Sequence, residues 1–200
     1  MKSKIVAAFF LIALIVSCKT EIKKNSMDSI TQQKIRTAFD DWAEEEIKKG
    51  TFFAQDSCSP SYYYMKDSLG LEAVTGFAIP LNDSSRIDIY YADLNADNTK
   101  DALITFSPDQ CDGGNAGMWI QYQILVLSQG DKYVVIDDYF DQFYNEPILG
   151  SGFFHLDSAD TKTVFGTYFN FMNDDGRCCP SIQRPIKIDL EKNEFNYLDQ

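Results

Sequence analysis

Oxygen-bearing side chains recur at alternate positions of one short stretch, residues 93–101 (DLNADNTKD). Calcium takes six to eight oxygen ligands at about 2.3–2.6 Å, and a short loop supplies them from alternating side chains and a backbone carbonyl. Counted from Asp93, positions 1, 3, 5 and 9 are Asp93, Asn95, Asp97 and Asp101, and Thr99 at position 7 offers its carbonyl. Asn98 occupies the sixth position, where the chain must turn sharply, and asparagine tolerates a left-handed backbone better than most residues. Position 12 is Ile104 rather than glutamate, and no helical pattern flanks the loop, which excludes an EF-hand. Two readings stay open: a calcium loop, and a hairpin connection built from Asx turns without a metal.

A second set of acids, Asp137, Asp138, Asp141 and Glu146, lies among Tyr139, Phe140, Phe143 and Tyr144. Two carboxyl groups about 5–9.5 Å apart suffice for glycoside hydrolysis, and neighbouring rings can stack on a sugar. In a chain with 30 acidic residues such a grouping also arises by chance. His155 is the only histidine and sits in apolar sequence, FFHL, where a packing role is the ordinary one. No G-x-S-x-G is present, and zinc chemistry lacks its usual ligands.

The elements that must position these groups are mostly strands. Ile87, Ile89 and Tyr91 alternate before the acidic loop, and Ala102, Ile104 and Phe106 after it. Period-two patterning of this kind marks half-buried strands. Segment 119–128 alternates in the same way, with Ile120, Tyr122, Ile124 and Val126 on one face and Leu125 and Leu127 on the other. Gln129-Gly130-Asp131 turns it into a hairpin with 132–136. Further strands are expected at 73–79, 153–156, 163–172, 182–190 and 195–198. One helix is expected over 29–49, opened by a Ser29/Gln32 capping box and closed by Lys48-Lys49-Gly50. Its apolar face would carry Ile30, Ile35, Ala38, Phe39, Trp42, Ala43 and Ile47. One helix followed by strands predicts an α+β fold with an antiparallel β-sheet and an N-terminal amphipathic helix.

The acidic stretch resembles the DLNGDGxxD loops of FG-GAP (integrin-propeller-type) repeats, in which calcium sits between two strands. The resemblance covers about fifteen residues and occurs once, whereas a propeller needs several blades. It implies a calcium loop and not the propeller fold.

The opening residues read as an address. Lys2 and Lys4 precede an apolar run, 5–16, that is shorter than the about 20 residues of a membrane span. The run closes on Ile15-Val16-Ser17-Cys18, which resembles the bacterial lipobox. That resemblance implies a signal peptide over 1–17, cleavage before Cys18, and a lipidated Cys18 anchoring the chain to a lipid bilayer. Two or three acyl chains hold a protein to a membrane where one does so only marginally, at about 0.8 kcal/mol per buried CH₂. Residues 18–27 read as a tether, and 28–200 as a single α+β domain. Lys19 after the cysteine favours the outer membrane over the inner. The formal net charge of −12 repels nucleic acid and anionic lipid and favours cations or basic partners; beyond the bilayer, the expected partner is an envelope protein or a glycan.

Four further cysteines, Cys58, Cys111, Cys178 and Cys179, fit disulfides outside the cytoplasm. Pairing the adjacent Cys178 and Cys179 strains the peptide between them, so the expected bridges join Cys58 and Cys111 to one each of that pair. A thiolate metal site lacks both a C-x-x-C and a nearby histidine. The segment DDGRCCPS (174–181) is similar to the D-x-x-CCPS segment of LppP/LprE-type lipoproteins. That similarity rests on Cys178, Cys179, Pro180 and Ser181 and implies a secreted, disulfide-stabilised envelope domain with no established enzyme activity. The expected function is a non-catalytic, lipid-anchored binding or structural protein of the cell envelope with a calcium-stiffened loop. The rival is a carbohydrate-active hydrolase working through paired carboxylates.

Overall fold

The computed structural model describes residues 28–58, 76–111, 120–144, 152–176 and 179–199. Helix α1 (Ser29–Lys49) precedes the strands. Its cap is Asp28 rather than Ser29: the Asp28 carboxylate accepts the Ile30 N–H at 3.1 Å. An ionised acceptor at the helix start meets the positive end of the helix dipole, so aspartate outcompetes the neighbouring serine. Gly50 ends the helix at φ +82°, and its N–H reaches back to the carbonyls of Glu46 and Ile47. Ile35, Phe39 and Ala43 are buried, whereas Ile30, expected on that face, is exposed.

Among the described residues ten strands follow: β1 (Phe77–Ala78), β2 (Ile87–Ala92), β3 (Asp101–Phe106), β4 (Asp109–Gln110), β5 (Tyr122–Gln129), β6 (Lys132–Ile136), β7 (Phe153–Asp160), β8 (Thr163–Asn170), β9 (Ile182–Asp189) and β10 (Glu194–Tyr197). They build two four-stranded antiparallel sheets, in orders β2-β3-β5-β6 and β10-β9-β8-β7, with a small β1–β4 pair beside them. The fold is thus mixed α+β, mostly antiparallel sheet with one main helix. A short helix α2 (Asp141–Tyr144) lies between β6 and β7.

Every residue of β3 is buried, because each face of its sheet meets another layer. Ala102, Ile104 and Phe106, with Ile124 and Val126 of β5, pack under Ile35, Phe39 and Ala43 of α1. The intervening Leu103 and Leu125 face Phe154, Leu156, Val164, Ile186 and Ile188 of the second sheet. Side chains alternate across a strand, so one sequence feeds two cores. The layer order is helix, sheet, sheet. Burying each such Leu, Ile or Phe contributes about 1.5–3 kcal/mol.

Two glutamines join the sheets. Gln123 donates to the carbonyl of Phe154 at 2.8 Å, and Gln121 exchanges bonds with Leu156, accepting its N–H at 2.7 Å and donating to its carbonyl at 3.1 Å. Strand β7 is an edge of its sheet, and these amides satisfy backbone groups that a further strand would otherwise pair.

Cys58 and Cys111 are bonded to each other, with Cα atoms 4.4 Å apart across 53 residues of sequence. This corrects the expectation that each would reach the 178/179 pair. The β1–β4 pairing sets the outcome: Cys111 donates its N–H to Gly76, and Phe53 bridges to Ala78. Both cysteines are buried around Ala78 in a small core of their own. Cys179 is also disulfide-bonded, and residue 178 lies outside the described residues.

Candidate functional site

The acidic loop joins β2 to β3 through a network of Asx turns. Asp93 accepts the N–H groups of Asp97 (3.2 Å) and Asn98 (3.0 Å), Asn95 Oδ1 accepts Asp97 N–H at 3.1 Å, and Asp97 accepts Thr99 N–H at 2.7 Å. Asn98 takes the left-handed backbone its position demands, φ +65°, and Ala96 does so at +62°. Asp101 is different in kind. It is fully buried, and its carboxylate accepts three backbone N–H groups, those of Leu94 (2.7 Å), Asn95 (3.1 Å) and Ser128 (2.7 Å).

Ser128, at the end of β5, completes the loop and escaped sequence reasoning. Its hydroxyl donates to Asp97 at 2.6 Å, and its carbonyl accepts from Asn95 Nδ2 at 3.0 Å. The Ser128 hydroxyl is the main cause holding the Asp97 carboxyl below its ordinary value, helped by Thr99 and Asn95. A serine about thirty residues downstream carries no local signal of this role. The loop also meets the β7–β8 turn, where Lys162 N–H donates to the Asp93 carbonyl at 3.0 Å.

Asp93 Oδ1 and Asn95 Oδ1 converge on one N–H, that of Asp97, whereas Asp101 points inward to its three amides. Among the described residues no three His, Cys, Asp or Glu side chains are placed to hold a metal ion together. A carboxylate has about four lone-pair sites, so two N–H bonds leave Asp93 with acceptor capacity. Beside the loop runs an apolar groove of about 250 Å³, lined by Leu94, Leu125, Leu127, Ile136, Tyr139 and Leu190. Its rim carries the Lys162–Glu191 ion pair at 2.7 Å.

At the opposite end of β5, a cleft of about 330 Å³ opens between Ile120–Gln123, the 137–144 segment and Phe153. Asp137 and Asp141 both line it, so the structure brings these two predicted acids together. Asp138 lies close enough to act on Asp141, and Glu146 lies outside the described residues. The indole of Trp42 donates to Asp137 Oδ2 at 2.9 Å. Partial burial, then the charges of Asp138 and Asp137, push the Asp141 carboxyl above its ordinary value. The Tyr144 ring lies nearly flat on Phe154, centroids 4.6 Å apart and planes 13° apart. Its hydroxyl lies 3.4 Å from both the Gln123 amide oxygen and the Phe154 carbonyl, and burial of that end of the side chain pushes its pKa up to about 12.

Chemically, one carboxyl is stabilised in its protonated form and another is fixed by an indole. Two carboxyls with a ring beside them suit a polar ligand site. His155 stands apart from both sites, half-buried between Phe153 (5.4 Å) and Phe169 (5.2 Å), as a packing histidine would be. Cys18 and the tether lie outside the described residues. Compared with protein-family models, curated proteins and solved structures, the chain has no match.

Proposed function

We propose that this chain is a lipid-anchored domain of the bacterial cell envelope that binds or scaffolds rather than catalyses. The observation that carries the proposal is the buried Cys58–Cys111 bridge, since such bridges persist where thiols are oxidised and are rare in the cytosol. The Ser17-Cys18 ending of the apolar run supplies the anchor by its likeness to a lipobox, and the CCPS segment agrees with an envelope lipoprotein. No described helix is long and apolar enough to cross a membrane. Outer-membrane retention follows from Lys19.

Calcium belongs to the same proposal. Asp93, Asn95, Asp97 and Thr99 carry the donors, with Asp101 holding the loop from behind and adding what acceptor capacity its three amides leave. A bound divalent ion would offset repulsion among the carboxylates where the loop meets the end of β5.

The test is expression of the full chain in a Gram-negative host, with membrane fractionation and mass measurement of the N-terminal peptide. An acylated Cys18 in the outer-membrane fraction is expected, and Cys18→Ala should leave an uncleaved precursor. A soluble cytosolic product with a free Cys18 thiol would sink the proposal.

The raised Asp141 beside an indole-held Asp137 favours a second reading, a carbohydrate-active hydrolase. In it Asp141 donates the proton and Asp137 acts as base or nucleophile. Reducing-end release lost in both Asp141→Asn and Asp137→Asn would establish it, and no turnover across a glycan panel would remove it.

A further inference from the structure

We infer that the cleft between the start of β5 and the 137–144 segment is a saccharide site for glycans without anionic groups, stacked on Tyr144 and held by Asp137 and Asp141. The inference rests on the binding reading above and names its ligand class. Tyr144 is the platform. One face of its ring is backed by fully buried Phe154 and its hydroxyl lies 3.4 Å from Gln123, yet the residue is 37% exposed and lines the cleft. The exposed surface is thus presented by a ring that is already fixed, so binding costs little side-chain entropy. The face of an aromatic ring is electron-rich, and the C–H groups of a pyranose carry the complementary partial charge.

The carboxylates supply direction. Trp42 occupies one oxygen of Asp137 and fixes its plane, leaving the other oxygen to accept sugar hydroxyls. Asp141 lies one helical turn before Tyr144 in sequence, and both residues line the cleft. No lysine or arginine lines it among the described residues, and Lys49 reaches it only through its charge on Asp137, so phosphate, sulfate or uronate groups would meet mainly carboxylates. At about 330 Å³ it sits at the small end of the usual range for ligand sites, roughly 300–1,000 Å³.

Its place in the fold suits an anchored binder. Strand β5 runs from Tyr122 at the cleft to Gln129 at the acidic loop, a length of about 26 Å at 3.3 Å per residue. The first turns of α1, where the tether joins, sit beside Asp131–Tyr133 at the loop end. The cleft therefore opens at the end of the sheet remote from the start of α1.

Calorimetric titration of the full chain in detergent micelles tests this, with chitotetraose, cellotetraose and fully deacetylated chitosan tetramer as probes and tetragalacturonate as the anionic control. The expected result is a Kd of about 1 mM or tighter for at least one of the first three, weakened about tenfold or more by Tyr144→Ala and by Asp137→Asn. Tyr144→Trp, which keeps a ring face, should retain binding. If Tyr144→Ala unfolds, the Trp and Asp137→Asn variants decide. No binding by the three probes at about 10 mM, equal binding of tetragalacturonate, or unchanged binding in Asp137→Asn overturns the inference. Turnover of a bound probe would overturn the non-catalytic reading and leave the cleft standing. An unlipidated chain that binds would overturn only the anchor.

Discussion

Asp101 Oδ1 accepts the backbone N–H of Ser128 at 2.7 Å, tying the first residue of β3 to the end of β5 from inside the molecule. The same carboxylate holds Leu94 and Asn95. Replacing it by alanine leaves three N–H groups without acceptors, those of Leu94 and Ser128 in buried surroundings. Asp101→Ala should therefore cost about 3–5 kcal/mol, and the solvent-facing Asp97→Ala clearly less. Urea unfolding of both variants gives the comparison. Equal, small losses would mean that Asp101 is not the anchor of the loop.

The Cys58–Cys111 bridge closes 53 residues. In the chain-entropy treatment its removal costs about 4 kcal/mol, which for a domain of this size lowers Tm by roughly 10 °C. Cys58→Ala with Cys111→Ala should show that drop by scanning calorimetry, because both sites are already apolar and buried. A drop under about 2 °C would show that the β1–β4 pair holds itself together without the cross-link.

Gly166, in the middle of β8, marks where the backbone of β7 comes close. A Cβ there would lie 1.9 Å from the His155 carbonyl oxygen. The register of β7 against β8 shifts next to this point, between Leu156 and Ser158. Backbone cannot yield as a flexible side chain does, so Gly166→Ala should destabilise by about 3 kcal/mol or more. Wild-type thermal stability in that variant would contradict the close approach.

How much of this was legible follows from the range of the forces involved. The two faces of β3 and β5 were readable because a period of two is a local property, and each face did meet its own core. The left-handed Asn98 was readable for the same reason. The cap was misplaced by one residue, because adjacent Asp28 and Ser29 are both good caps and the charge decides. Ile30 followed the apolar period but stands in the first turn of the helix, 61% exposed. Helix α2 has four residues, too few to nucleate on their own, so only its packing defines it. The disulfide pairing depends on β1 meeting β4, which no spacing of cysteines encodes. Of the sites, the loop donors and the acids were visible as residue types. Ser128, Trp42 and the Gln121/Gln123 pair were not, since each acts across 30 residues or more. Two glutamines on a face that otherwise points into a core were the one available signal.

Asp141 offers a test through pH. Its folded pKa lies above the ordinary carboxyl value, so the native state binds more protons than the unfolded chain just above pH 4. Stability from this group therefore falls as pH rises through the folded pKa, and the penalty is complete at neutral pH. Asp141→Asn should be slightly more stable than wild type at pH 7, by at most about 0.5 kcal/mol after solvent screening, and the difference should vanish below about pH 4. Asp97, Asp175 and Asp199 have the opposite sign: Ser128, Ser181 and Arg184 respectively hold their carboxyls low, so what they contribute is present above pH 4 and lost below it. A pH series of melting curves separates the two, and a variant that loses stability at pH 7 would place Asp141 among the stabilising carboxylates instead.

Calcium makes the sharpest demand on the acidic loop, because the loop already satisfies itself. Its Asx turns, the Ser128 hydroxyl and the Asp101 amides account for the conformation without an ion, so an ion must act by screening Asp93 and Asp97 rather than by shaping the turn. Sites of the extracellular kind have Kd values near 10⁻⁴ M, and 1 mM calcium would then stabilise by about 1.4 kcal/mol. For a domain of this length that raises Tm by roughly 3–5 °C. Magnesium at the same concentration should do much less, since it demands a tight octahedron and keeps its water. Asp93→Asn should abolish the calcium response and, in its absence, lose one turn bond, because the single amide oxygen can accept the N–H of Asp97 or of Asn98 but not both. If wild type melts identically in calcium and in chelator, the loop is a hydrogen-bonded hinge between the two hairpins, and its acids serve the fold alone.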